Sequence, residues 1–282
     1  MQIKFDNVNF FYNTRDPLKQ FVLKNVSFDL EKDNFIAITG KTGSGKTTII
    51  DLIFAFLKPN SGVIKVDDFI NCSEKKNNQK ILYNLRKKIG ILFQFAEYQL
   101  FKNTVIEDVM FGIKNFCPKK NVKEKAKEIL ELVGLDESFY DRPPFELSDG
   151  EKKRVAIACV LGYEPEILIL DELTVGLDTE KKTQIMDLIK KIQRDKKIKI
   201  ILVTHDMEIV LKYADKMLLL DNNKIIKEGC PYDILQEDNI EKFGIAIPNI
   251  IKFINLLKKQ DYRIKKNTII IDELIEEIKK NK

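Results

Sequence analysis

Apolar and polar positions alternate at the start of the chain. Ile3, Phe5, Val8 and Phe10 recur at about every second residue, and Val22, Val26, Phe28 and Leu30 do the same. A period of two predicts short antiparallel strands with one buried face. The compact run Phe35-Ile36-Ala37-Ile38-Thr39 predicts a strand buried on both faces, and a glycine-rich turn follows it. An apolar helix is expected from about Thr47 to Leu57, closed by Pro59 and Gly62. Residues 97 to 162 read as mostly helical, with Ala126, Ile129, Leu130 and Val133 at helical spacing and Gly134 as a stop. Two buried-type strands follow, Ile167 to Leu170 and Ile200 to Val203, with a helical stretch between them. Strands alternating with helices imply a parallel sheet covered on both faces.

From about Asn222 the pattern changes. Lys224-Ile225-Ile226 predicts a strand, Ile250 to Leu257 a helix, and Ile269 to Ile278 a strand followed by a helix. The expected fold class is α/β: a parallel core sheet, an antiparallel N-terminal β subdomain, an inserted helical subdomain at about 95–162, and a small C-terminal α/β extension. The expected division is a main unit over 1–222 and the extension over 223–282.

Composition narrows the setting. The 282 residues are 44% hydrophobic, enough for a sizeable core. The net charge of +5 is dispersed, and runs such as Arg86-Lys87-Lys88 and Lys196-Lys197 read as solvated faces, so no nucleic-acid partner is expected. Cysteines at 72, 117, 159 and 230 form neither a CxxC pair nor a metal clip, which fits a reducing compartment. The opening MQIKFDNVNF lacks a signal-peptide pattern, and no stretch approaches the ~20 apolar residues of a membrane span. Work at a membrane would therefore require docking on an embedded partner.

Candidate chemistry begins where the strand ending at Thr39 runs into Gly40-Lys41-Thr42-Gly43-Ser44-Gly45-Lys46-Thr47-Thr48. The G-x-x-x-x-G-K-[ST] spacing between strand and helix turns consecutive N–H groups inward toward phosphate oxygens. Lys46 is expected on the β- and γ-phosphates, and Thr47 on Mg²⁺. The strand 167–170 ends in Asp171-Glu172. Two carboxylates at a buried strand tip need a role, because unpaired buried charge is costly. Asp171 suits the Mg²⁺ side and Glu172 suits a general base. The lone histidine, His205, lies just past the strand 200–203, where open parallel sheets bind ligands, and suits a γ-phosphate contact.

These features fit many phosphate-loop ATPases. Leu147-Ser148-Asp149-Gly150-Glu151, followed by Lys152-Lys153-Arg154-Val155-Ala156, resembles the signature of ABC proteins, usually LSGGQ. Gln94, Gly176-Leu177-Asp178 and Tyr12 resemble the Q-loop glutamine, the D-loop and the adenine-stacking aromatic of that family, in the expected order over roughly residues 1 to 230. The resemblance implies ATP as substrate, Mg²⁺ as cofactor, Gln94 as a further Mg²⁺ contact, and head-to-tail pairing in which Ser148 and Gly150 serve the partner's nucleotide. Glu151 replaces the usual glutamine and can form a capping box with Ser148. Asp149 replaces a glycine. At ~8 Å and an effective dielectric of ~20, its charge would oppose each phosphate charge by about 2 kcal/mol, so a weakened partner site is expected. Leu173 stands where proline is usual.

At finer grain, Phe93-Gln94-Phe95-Ala96-Glu97-Tyr98-Gln99-Leu100-Phe101 is similar to the Q-loop region of energy-coupling factor ATPases, although Ala96 stands where that family often has proline. The segment Asn13 to Gln20, Pro144-Phe145-Glu146 and Phe243-Gly244-Ile245-Ala246-Ile247-Pro248 point the same way, and the match is to the second of two paired ATPase subunits. That resemblance implies uptake of vitamins or metal ions, powered from the cytoplasmic face of the cell membrane. It implies a second ATPase subunit, a transmembrane coupling subunit and a substrate-binding membrane subunit. Residues 95 to 111 are then the expected docking segment, with Phe95, Tyr98, Leu100 and Phe101 as its apolar surface. Three alternatives stay open: a homodimeric ATPase of another ABC transporter, a soluble ABC protein of translation or DNA repair, and a nucleotide-binding switch without hydrolysis.

Overall fold

The computed structural model describes residues 1–12, 20–32, 34–74, 78–117, 121–265 and 268–280. Strands β1 (Ile3–Phe10), β2 (Leu23–Asp29) and β3 (Phe35–Gly40) precede helix α1 (Lys46–Ile53). Next come β4 (Ser61–Val66), β5 (Phe69–Asn71), α2 (Gln79–Lys88) and β6 (Ile89–Leu92). A helical run follows: α3 (Val105–Phe116), α4 (Val122–Leu132), α5 (Glu137–Tyr140) and α6 (Asp149–Leu161). Then come β7 (Ile167–Asp171), α7 (Thr179–Lys196), β8 (Lys199–Val203), α8 (Met207–Tyr213) and β9 (Lys216–Asp221). The chain ends with β10 (Lys224–Gly229), α9 (Pro231–Leu235), α10 (Asn249–Lys259) and α11 (Ile271–Lys280).

Two sheets result. The first is antiparallel, in the order β2-β1-β4-β5. The second has the order β10-β9-β3-β8-β7-β6 and is parallel except for β10 at its edge. Residues of the parallel strands alternate between two packed faces. Ile167 and Ile169 of β7 join β3 residues Ile36 and Ile38 in the core against α1 and the antiparallel sheet. Leu168 and Leu170 face the helical insertion. The carboxyl ends of β3, β6, β7 and β8 therefore share one edge of the molecule, with β3 leading into α1 and β7 ending at Asp171.

Several expectations need correction. Helix α1 stops at Ile53 rather than near Leu57. Ala55 takes a left-handed conformation (φ +55°), which helical geometry excludes, and Asn71 donates to the carbonyls of Leu52 and Leu57 to hold the turn. No strand forms at Ile269: only α11 follows, and Thr268 and the backbone of Lys265 bond the Glu277 carboxylate instead of a neighbouring strand. Elements β4, β5 and α2 were not among the expected elements. Residues 13–19 of the segment Asn13 to Gln20 lie outside the described residues.

The division between 222 and 223 falls inside the β9–β10 hairpin, so backbone hydrogen bonds cross it. The extension also shares a core with the main sheet, in which Ile234, Ile251 and Ile254 pack with Ala37, Met217 and Leu219. Among the described residues no helix is long and apolar enough to cross a membrane.

Candidate functional site

A cleft of about 530 Å³ opens at the carboxyl edge of the parallel sheet. The loop after β3 forms one wall. Gly43 (φ +79°) and Gly45 (φ +104°) adopt left-handed conformations that side chains resist, and at Gly43 no atom lies where a Cβ would sit. The loop thus exposes backbone to the cleft, followed by the N-terminus of α1, whose first N–H groups favour an anion. Lys46 begins α1 and donates to the carbonyls of Gly40 (2.8 Å) and Lys41 (2.9 Å). Burial pulls its ammonium below the usual lysine range, against the opposing pull of Glu172 and Asp171. The Ser44 hydroxyl is buried without a hydrogen-bond partner.

The opposite wall comes from the tips of β7 and β8. Asp171 is still in register with Val203 at the end of the ladder. Burial, and then the Glu172 carboxylate, push its pKa up to about 6, while Lys46 and the Thr47 hydroxyl act the other way. Glu172 turns out of the strand with φ +51°, an uncommon value for a glutamate, and its N–H donates to the Val203 carbonyl. One carboxylate oxygen lies 2.9 Å from His205 Nδ1, and the other is buried with no partner. A buried carboxylate oxygen with spare acceptor capacity, oriented by an imidazole, can take a proton from a polar molecule in the cleft.

Tyr12, Thr42, Gly43, Gly45, Lys46, Thr47, Thr48, Gln94, Asp171, Glu172 and His205 all line this cleft. Val22 and Val175 line it too, and no local pattern marked them. Tyr12 is largely exposed at the rim, with its hydroxyl 3.2 Å from Thr48 Oγ1. Gly40, Lys41 and Ser44 belong to the loop but are not among the lining residues. The Thr47 hydroxyl, the Asp171 carboxylate and the Gln94 amide bring hard oxygen donors together, a set that fits Mg²⁺.

Ser148, Asp149 and Gly150 do not line the cleft. Ser148 caps α6, accepting from the Glu151 N–H, while its own N–H and hydroxyl donate to the Glu151 carboxylate at 2.7 Å each. The expected capping box is present. Asp178 caps α7 in the same manner through the Lys181 N–H. Leu173 is fully buried in the core beneath the helical insertion.

Between Gln94 and α3, Phe95, Tyr98 and Phe101 are exposed, at 50%, 82% and 61%. Leu100 differs: it packs against the core, so three rather than four expected positions face out. Two anchors hold this segment. Asp108 on α3 accepts from the N–H groups of Phe101 and Lys102. Lys153 on α6, 2% exposed, pairs with Glu97 at 3.4 Å. That half-buried pair joins residues 56 apart in sequence and had no local signal.

Fold and cleft together define an ATP-binding cassette, and comparison with known proteins agrees. Residues 23–175 match the family model described as ABC transporter. The chain is 40% identical over 280 residues to the energy-coupling factor transporter ATP-binding protein EcfA2 of Caldanaerobacter subterraneus, covering 99% of this chain and 96% of that one. The EcfA2 protein of Streptococcus pneumoniae is also 40% identical, covering 99% of each. Among solved structures, cbiO1 of Clostridium perfringens, described as part of the ABC transporter complex cbiONQ, is 34% identical with TM-score 0.75, covering 90% of this chain and 98% of that one. The ATP-binding cassette MJ0796, a dimer bound to ADP and phosphate, is 28% identical with TM-score 0.71, covering 81% of this chain and 98% of that one. The chain belongs to the ABC transporter family, among its energy-coupling factor ATP-binding proteins. It binds ATP and couples ATP hydrolysis to transport.

Proposed function

We propose that this cleft hydrolyses ATP on behalf of an importer of the energy-coupling factor type. The backbone of residues 40–47 and the Lys46 ammonium hold the phosphates, and the Tyr12 ring stacks on adenine. Thr47, Asp171 and Gln94 hold a Mg²⁺ ion, which when bound neutralises phosphate charge. Glu172 orients a water and accepts its proton as the water oxygen attacks the γ-phosphorus. The bond to the β-phosphate breaks, leaving ADP and inorganic phosphate. His205 holds Glu172 in place and reaches the γ-phosphate.

The observation carrying this reading is Glu172 itself, turned by a left-handed backbone into the phosphate-loop cleft with one oxygen on His205 and one spare. ATP turnover and ATP binding by the Glu172→Gln variant test it. Lost turnover with retained binding supports the reading, and retained turnover sinks it.

Ser148 and Gly150 lie off the cleft, which supports their serving the nucleotide of a second ATPase subunit paired head to tail, with Asp178 at the same interface. A related but different chain is the favoured partner. Asp149 is exposed at the start of α6 and would add a negative charge near that partner's nucleotide. Phe95, Tyr98 and Phe101 would receive the transmembrane coupling subunit, placing this chain peripherally on the cytoplasmic face of the cell membrane. A separate membrane subunit would bind the vitamin or metal ion. Affinity purification from membranes checks this assembly: a related second ATPase and a multi-spanning protein support it, and a self-dimer on conventional permease domains refutes it.

A further inference from the structure

Lys41, the second residue of the glycine-rich loop, carries two sets of contacts. Its backbone carbonyl accepts from Lys46 Nζ at 2.9 Å and from the Ser44 N–H at 3.1 Å, so it helps fix the loop's shape. Its side chain leaves the cleft and crosses to the C-terminal extension. There Nζ donates to the Lys242 carbonyl at 3.2 Å and lies 4.0 Å from Asp221. The aliphatic stem runs over Gly244, where a Cβ would stand 2.8 Å from Lys41 Cε and 2.9 Å from Cγ. Gly244 has φ +74° and ends the short 3-10 turn Ile240–Phe243. The Asn249 N–H just beyond donates to Glu208, and Ile245 packs into the core shared with Ala37 of β3. The seat beneath Lys41 is therefore held to α8 through Asn249 and to the core of the main sheet through Ile245.

We propose that Lys41 is a positioning residue through which the extension, seated at 242–244, holds the phosphate loop in its nucleotide-binding shape. The inference rests on the reading of residues 40–47 as the phosphate loop. Lys41 is not a catalytic residue: its side chain does not line the cleft, and it acts through the carbonyl that receives Lys46. By linkage the coupling runs both ways, so nucleotide on the loop steadies residues 240–249, and whatever loosens those residues weakens nucleotide binding.

The test uses the purified full chain, with ATP affinity by calorimetry, steady-state KM and kcat, thermal melting, and amide hydrogen exchange with and without a non-hydrolysable ATP analogue. Lys41→Ala is expected to weaken ATP affinity about five- to tenfold, raising KM more than it lowers kcat, with little change in melting. Lys41→Arg is expected to recover most of the affinity, because a guanidinium reaches the Lys242 carbonyl. Gly244→Ala is expected to weaken affinity as Lys41→Ala does; should it fail to fold, the lysine pair decides alone. The analogue is expected to slow exchange at 240–249 in the wild type and not in Lys41→Ala. Unchanged affinity in Lys41→Ala, or a loss that arginine does not restore, overturns the proposal. So does the same slowing in both proteins. Lys46→Ala is the control: if it binds ATP like the wild type, the phosphate-loop reading is at fault.

Discussion

Glu172 and Asp171 are neighbours with different surroundings, and the difference separates their roles. Glu172 meets His205, whereas Asp171 sits among Thr47, Lys46 and the strand end. In Glu172→Gln the amide keeps the shape and loses the basicity. Turnover should fall about 10²–10⁴-fold while ATP affinity stays within a few-fold, as read by phosphate release and calorimetry. Asp171 predicts a pH dependence. Its ordinary pKa of 3.8 rises to about 6 in the folded, nucleotide-free chain. The protonated carboxyl favours the folded state, so its contribution is complete below the unfolded value and lost as pH climbs through about 6. Asp171→Asn should therefore match the wild type in thermal stability near pH 3 and exceed it near pH 7 by about 2 kcal/mol, solvent screening having taken up part of the shift. A site strained for binding gives up stability in this way.

Between residues and domains, helix α6 connects two surfaces. Its N-terminus carries the capped signature, and four residues on, Lys153 reaches the segment after Gln94 through Glu97. The segment after Gln94 is thereby tied to the first turns of α6. Lys153→Ala removes the partner of a partly exposed carboxylate and should cost about 1–2 kcal/mol in denaturant unfolding. Exchanging the charges, Glu97→Lys with Lys153→Glu, should recover a measurable part of the loss of either single reversal. Strict additivity would mean the pair does not couple. Ser148→Ala removes the cap and should cost about 1 kcal/mol in the same experiment.

For the whole molecule, the extension completes the main sheet and cannot be treated as a detachable tail. A chain ending at Asn222 lacks β10 and uncovers Ala37, Met217 and Leu219. It should be insoluble or melt well below the full chain, because an unpaired edge strand and an apolar face are exposed together. Replacing Phe95, Tyr98 and Phe101 with serine should leave ATP binding by the isolated chain near wild type, since all three are exposed. Recovery of the chain with membrane subunits should fall sharply, as read by co-purification.

The chain itself determined whatever depends on contiguous spacing. The phosphate loop must be consecutive, because one turn of backbone surrounds the phosphates, and the Asp171-Glu172 pair was legible as the end of an apolar run. The capping box and the strand periods were equally local. Tertiary structure decided what depends on distant residues meeting: Lys153 with Glu97, Lys41 with Gly244, Leu100 turned inward, Val22 and Val175 in the cleft wall, and β10 added to the parallel sheet. The three-residue strand β5 is too short to show a period, and β10 shows no clean alternation because its residues are only partly buried at a sheet edge. Those pairings follow from how layers pack, and packing is a property of the assembled faces rather than of any one stretch of sequence.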